Sequence, residues 1–147
     1  MAINPNVDFS AGAVLLASQQ NRFPRGVMSY VQHTTNVAFT TETTILTATT
    51  FTAVANRYYQ ITFVEPSLTA SATADTTLRI KQGATVLQQG LLRNPTTTGY
   101  ALTISVVKTF TAGSVTITGT AQSTATGSAQ GSATAPGYLL IEDIGPA

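Results

Sequence analysis

From Val27 onward, apolar residues recur at every second position. Tyr59, Ile61 and Phe63 fall on one side of an extended segment, with Tyr58, Gln60 and Thr62 on the other. Leu78 and Ile80 alternate with Arg79 and Lys81, and Tyr100, Leu102, Ile104 and Val106 with Ala101, Thr103 and Ser105. Val115 and Ile117 alternate with Thr116 and Thr118. Successive side chains of a strand point to opposite faces, so this period marks strands with one face in a core and the other in water. Threonine suits the wet face, because its β-branch favours the extended backbone without adding charge.

Turn signals separate these runs at Asn56, Pro66-Ser67, Gln82-Gly83, Asn94-Pro95 with Gly99, and Ala112-Gly113. The pattern predicts strands over residues 27–33, 36–41, 45–53, 57–64, 75–82, 85–92, 100–110 and 114–122, and a ninth over 137–142. Regular spacing with no helical stretch between strands predicts an all-β chain, an antiparallel β-sandwich or jelly roll of about eight or nine strands. Tyr138 to Ile141 is apolar on both faces and reads as a central strand covered on both sides.

Two segments depart from the alternation. Residues 1–26 contain Asn4-Pro5, Gly12, a short helix expected around residues 17–22, and Pro24 to Gly26. They are too few for a core of their own and read as an attachment arm in front of a sandwich domain, residues 27–147. Residues 123–135 form a Ser, Thr, Gly and Ala tract that reads as a loop, with a close-packed strand as the alternative.

Composition changes the picture from fold to function. Only seven Lys/Arg, six Asp/Glu and one His occur among 147 residues, and there is no cysteine. Acid–base, thiol and zinc chemistry draw on residues that the chain lacks or holds singly. The expectation is a protein that builds surfaces, with no enzymatic activity, no cofactor and no metal. A net charge of +1 with scattered basic residues gives no field for polyanions, so nucleic acid is not an expected partner. It also lets copies pack side by side at little electrostatic cost. The apolar run at residues 11–17 is too short for a membrane span and follows no basic region, so neither membrane insertion nor a signal peptide is expected.

Several residues invite a chemical reading. His33 with Ser29 on the same strand face suggests a nucleophile and base, but no G-x-S-x-G elbow exists, and a structural histidine is the stronger reading. Glu142-Asp143, with Asp75 or Glu65, offers oxygen ligands without a calcium-loop motif. Asp75, Arg79 and Lys81 share one face and read as charges that either meet a neighbouring copy or keep an edge strand soluble. The T-x-T steps lack the fixed period that a tiled binding face needs. Tyr58 and Tyr100 present flat rings of the kind that stack on sugars, which keeps a carbohydrate-binding adhesin module as an alternative. In the arm, Phe9, Leu15, Leu16, Arg22, Phe23, Pro24 and Arg25 combine apolar and guanidinium groups, the mixture that protein interfaces enrich.

Residues 9–26 (FSAGAVLLASQQNRFPRG), 51–61 (FTAVANRYYQI), 75–80 (DTTLRI) and 138–147 (YLLIEDIGPA) carry a resemblance. The chain resembles small virion structural proteins of tailed bacteriophages, especially those of actinobacteria. These pair a short N-terminal attachment segment with a trimeric, tumour-necrosis-factor-like β-sandwich. The opening is similar to the family's F-x-A-G-x-x-L-T-A-x-x-x-N-x-x-P-x-G, with Leu16 where the family carries the Thr that would cap the short helix. After Ile80 the chain has Lys81-Gln82-Gly83 where relatives tend to be more acidic. The resemblance implies a non-enzymatic homotrimer of the virus particle, assembled in the host cytoplasm. It implies a minor tail or tail-fibre component docked on other virion proteins through the arm, with a capsid decoration protein (head fibre or cement) as the alternative. A host cell-surface glycan is a further partner to consider.

Overall fold

The computed structural model describes residues 23–94 and 98–147. Their twelve strands are β1 (Gly26–His33), β2 (Val37–Phe39), β3 (Thr43–Thr47), β4 (Phe51–Ala53), β5 (Arg57–Ala70), β6 (Ala74–Gln82), β7 (Thr85–Asn94), β8 (Tyr100–Thr109), β9 (Gly113–Val115), β10 (Thr118–Ser123), β11 (Gly127–Ala129) and β12 (Gly137–Pro146). Every pairing is antiparallel. The fold is the expected all-β sandwich of the jelly-roll kind.

One layer is organised by the long strand β5. β12 pairs with its first half and β11 with its last residues, β8 runs along its other side, and β1 and β2 flank β12 and β11. The second layer has the order β3-β10-β6-β7, and β4 and β9 form a separate ribbon. β7 and β8 meet where the layers close along one flank, Gln88 Nε2 donating to the Ser105 carbonyl at 3.4 Å.

Alternation dictates the core. Tyr59, Ile61 and Phe63 of β5, Leu78 and Ile80 of β6, and Leu139 and Ile141 of β12 are all fully buried between the layers. Phe51, Tyr59 and Phe110 form an aromatic cluster at the β4–β9 end, with centroids 5.5 to 6.3 Å apart. The Tyr59 hydroxyl is satisfied there by accepting from the Val54 amide at 2.8 Å. Gly119 of β10 faces Phe63 so closely that a Cβ would lie 2.9 Å from the ring.

Four expectations are corrected. Residues 45–53 and 114–122 are each two strands, because both segments bend together: Ala48 N donates to Ile117 O at 2.8 Å, and the Thr50 and Thr116 hydroxyls lie 2.6 Å apart. β5 runs through the expected turn at Pro66-Ser67, since the proline sits at a register shift between Glu65 and Leu68, where its missing N–H breaks no ladder bond. The 123–135 tract is strand in part, with β11 inside it, and the turn between Ser132 and Ala135 lies beyond. β12 is central, as expected, but only one of its faces is covered: Leu139 and Ile141 are buried, whereas Tyr138, Leu140 and Glu142 are half-buried on the outside of the layer.

Candidate interaction surface and attachment point

Residues 23–25, which precede β1, lie beside a buried ion pair. Arg57, the first residue of β5, donates from Nε to Asp143 Oδ2 at 2.5 Å and from Nη2 to Asp143 Oδ1 at 2.7 Å. The same Nη2 donates to the backbone carbonyl of Phe23 at 2.6 Å. Asp143 also accepts from the Gly145 amide at 3.0 Å, at the β12 bulge. A fork-shaped guanidinium against a carboxylate is rigid, and the Asp143 hydrogen bonds hold the Arg57 pKa above its ordinary value. The pair thereby fixes the backbone at Phe23. Of the expected arm contacts, Phe23, Pro24 and Arg25 are exposed at this point; Phe9, Leu15, Leu16, Arg22 and the short helix at 17–22 lie outside the described residues.

A second buried pair sits where β11 and β12 part. His33 ends β1 opposite Gly137, and its Nε2 lies 3.0 and 3.1 Å from the two Glu65 carboxylate oxygens. Its Nδ1 lies 2.9 Å from the Thr35 carbonyl, which can only accept, so Nδ1 carries a proton. Burial pushes the Glu65 pKa up, and the opposing attraction of His33 is smaller. Gly137 leaves the room for this pair: a Cβ there would collide with both side chains. Ser29 Oγ is occupied separately, accepting from the Thr49 amide at 3.0 Å. His33 and Ser29 are therefore structural groups here, not an assembled nucleophile and base.

The expected oxygen ligands are dispersed. Asp143 serves Arg57, Glu65 serves His33, Asp75 pairs with Arg93 at 3.2 Å, and Glu142 points to the opposite face from Asp143. No cluster of three acids or histidines that could hold a metal occurs among the described residues. The Asp75, Arg79 and Lys81 face belongs to β6, which lies inside its sheet between β10 and β7 and is not an edge. There Arg79 and Lys81 converge on Glu42 at 3.5 and 3.0 Å, and the Lys81 and Thr120 hydrogen bonds lower the Glu42 pKa.

The two outer faces differ in charge. The β3-β10-β6-β7 face carries Glu42, Asp75, Arg79, Lys81 and Arg93, all ion-paired. Across the β1-β12-β5-β8 face run three rows of four residues. The first is Gln32, Tyr138, Val64 and Thr103; the second is Tyr30, Leu140, Thr62 and Ser105; the third is Val27, Glu142, Gln60 and Val107. Glu142 is their sole charge. Tyr30 and Tyr138 pack with centroids 5.7 Å apart, and Tyr30 and Val27 are half or more exposed. Depleted charge with enriched tyrosine is the composition of interface cores. No sequence signal short of the strand registers shows that these twelve positions share one surface.

The two tyrosines considered for sugar stacking are apart from each other. Tyr58 lines a shallow depression of about 560 Å³ with Asn56, Phe110 and Thr111, whereas Tyr100 is exposed at the start of β8. Among the described residues no helix is long and apolar enough to cross a membrane.

No family model matches the chain, and no curated protein does. Among solved structures it is similar to murine APRIL, crystallised at pH 5.0, with a TM-score of 0.52 at 10% identity over 82% of this chain and all of that one. That likeness bears out the tumour-necrosis-factor-like sandwich, and it concerns the fold alone. Weaker similarity extends to the C-terminal CBM6 of LamC, a marine laminarinase from Zobellia galactanivorans, with a TM-score of 0.38 at 14% identity, covering 81% of this chain and 90% of that one. The carbohydrate-binding module CBM6cm-2 of Cellvibrio mixtus lichenase 5A, solved with cellotriose, gives 0.35 at 13% identity, covering 83% and 91%. Scores this low carry no argument about ligands.

Proposed function

We propose that the chain is a non-enzymatic structural protein of a bacteriophage virion, a homotrimeric minor tail or tail-fibre component docked on other virion proteins by residues 1–26. The observation that carries the reading is the hold of the Arg57–Asp143 pair on the Phe23 carbonyl. A tether that is to position a domain on a larger body needs a rigid root, and a buried guanidinium fork supplies one. The engagement of both His33 nitrogens and of Ser29 Oγ supports a role without catalysis. The virion assignment itself draws on the sequence resemblance of residues 9–26 to phage attachment segments.

Phage particles assembled without this protein, incubated with the purified full chain, provide the test. The full chain should bind and a chain beginning at Phe23 should not; equal binding of the two, or no binding by either, overturns the reading. Electron cryo-microscopy of decorated particles then separates tail from shell, since a capsid decoration protein would use the same plan of arm and head.

A further inference from the structure

We infer that the His33–Glu65 pair is a proton-operated latch on residues 130–136, closed while the pair holds a shared proton and released when that proton is lost. The latch goes beyond the assembly reading and does not depend on it.

The segment between β11 and β12 has little of its own to hold it. It reads QGSATAP, without a side chain that builds a core, and residues 132–135 are exposed. A turn closes it, Ser132 and Ala135 exchanging backbone hydrogen bonds at 3.0 and 3.2 Å. Gln130 is tied to β5: its amide donates to the Ser67 carbonyl at 2.8 Å, and its Oε1 accepts from Ser67 Oγ at 3.0 Å. Beyond Gln130 the segment rests on the imidazole of His33. A Cβ added to Gly131 would come within 2.7 Å of Nδ1 and 2.9 Å of Cε1, and one added to Gly137 would meet Nε2 and Cδ2. The backbone therefore touches one edge of the ring where it leaves β11 and the other where it enters β12.

Two protons satisfy the cluster. One sits on Nδ1 and is donated to the Thr35 carbonyl; the other lies between Nε2 and the Glu65 carboxylate. Without the second, the ring has one proton for two acceptors. Kept on Nδ1, it leaves the Nε2 lone pair against an ionised carboxylate; moved to Nε2, it leaves Nδ1 against the Thr35 carbonyl. The pair is buried, so the unmade bond is costly, and the ring leaves the place where Gly131 and Gly137 meet it. The groups that face the pair do not titrate in its stead: Thr35, Gly131 and Gly137 meet the ring, Leu102 of β8 lies beside Glu65, and Tyr138 packs on Tyr30 at the outer face. Burial pushes the Glu65 pKa up, which keeps the shared proton in place above the ordinary carboxylate range.

β12 runs from Gly137 beside His33 to Asp143 beside Arg57, about 20 Å of extended chain. The latch is at the opposite end of β12 from the Phe23 contact, so a domain rooted at Phe23 presents residues 130–136 at its far end. Released, that end offers a contact surface of a different shape.

Hydrogen exchange of the full chain, followed by mass spectrometry across about pH 5 to 8, tests the latch. Rates are compared with those of an unstructured peptide at each pH. In the wild type, residues 130–136 should be protected at the acid end and lose protection as pH rises, by up to about tenfold per pH unit for one proton. β6 should stay protected throughout. Glu65→Gln should keep the segment protected at every pH, because its amide donates to Nε2 while Nδ1–H serves Thr35. Gly131→Ala should leave the segment unprotected at every pH with β6 intact. Wild-type protection that does not change with pH, a segment that opens only together with β6, or a Gly131→Ala segment protected like the wild type would each overturn the latch. So would a folded Glu65→Gln that follows the wild type; if that variant does not fold, the wild type and Gly131→Ala decide. Binding to particles through residues 1–26 is not measured here, so either reading can fail alone.

Discussion

Arg57 and Asp143 lie 86 residues apart in sequence and meet through two hydrogen bonds at the edge of the core, where they also hold the backbone of Phe23. The guanidinium is buried, and two of its hydrogen bonds go to the Asp143 carboxylate. Asp143→Ala takes the carboxylate from a buried cation, for which the expected loss is about 3–5 kcal/mol. Urea unfolding would show it as a lower midpoint with an unchanged slope. A loss under about 1 kcal/mol, the range of exposed pairs, would mean that the pair is not a buried one.

The His33–Glu65 pair predicts a pH dependence of definite sign. The folded Glu65 pKa is raised above its ordinary value of 4.5. Its contribution to stability is therefore complete below that value and is lost as pH rises through the folded pKa. Glu65→Gln removes the titration and keeps the contact, because the amide can donate to Nε2 while Nδ1–H still serves Thr35. The stability of the wild type relative to Glu65→Gln should fall as pH rises from 4 toward 7. Chemical unfolding of both proteins across that range measures it, and a relative stability that climbs with pH would contradict the assignment.

Adjacent residues on β12 separate fold from assembly. Ile141 is fully buried and Leu140 half-buried on the outer face of the layer. Ile141→Asp sets an unpaired charge in the core and should cost several kcal/mol, about enough to abolish folding. Leu140→Asp should stay within about 1 kcal/mol of the wild type in melting, as surface changes do, while weakening self-association. If both variants unfold, the outer face is core to the single chain and is not a contact between copies.

This contrast also shows how far the sequence reads. Strand positions followed from the period of two, because each strand buries one face, and residues 75–82 and 100–110 match β6 and β8 closely. Tyr138 to Ile141 was legible as apolar and central, but apolarity on both faces does not say whether the second cover is the same chain or another. The splits of residues 45–53 and 114–122 depend on each other, through Ala48 and Ile117, and no local pattern contains that. The ion pairs were illegible for the same reason. His33 and Glu65 are 32 residues apart and Arg57 and Asp143 86, and only the registers of β1, β12 and β5 bring them together.

The Phe23 contact fixes where truncation should begin to matter. A chain starting at Phe23 keeps the carbonyl that Arg57 Nη2 bonds at 2.6 Å and all of β1. A chain starting at Val27 loses that acceptor and also Gly26, the first residue of β1, which pairs with Asp143. Removal of an acceptor from a buried charged donor costs about 1–3 kcal/mol. The stability lost between these two truncations should lie in that range, read from urea midpoints at a common slope. If the two are equally stable, the hold on Phe23 contributes nothing, and the root of the arm is not where Arg57 places it.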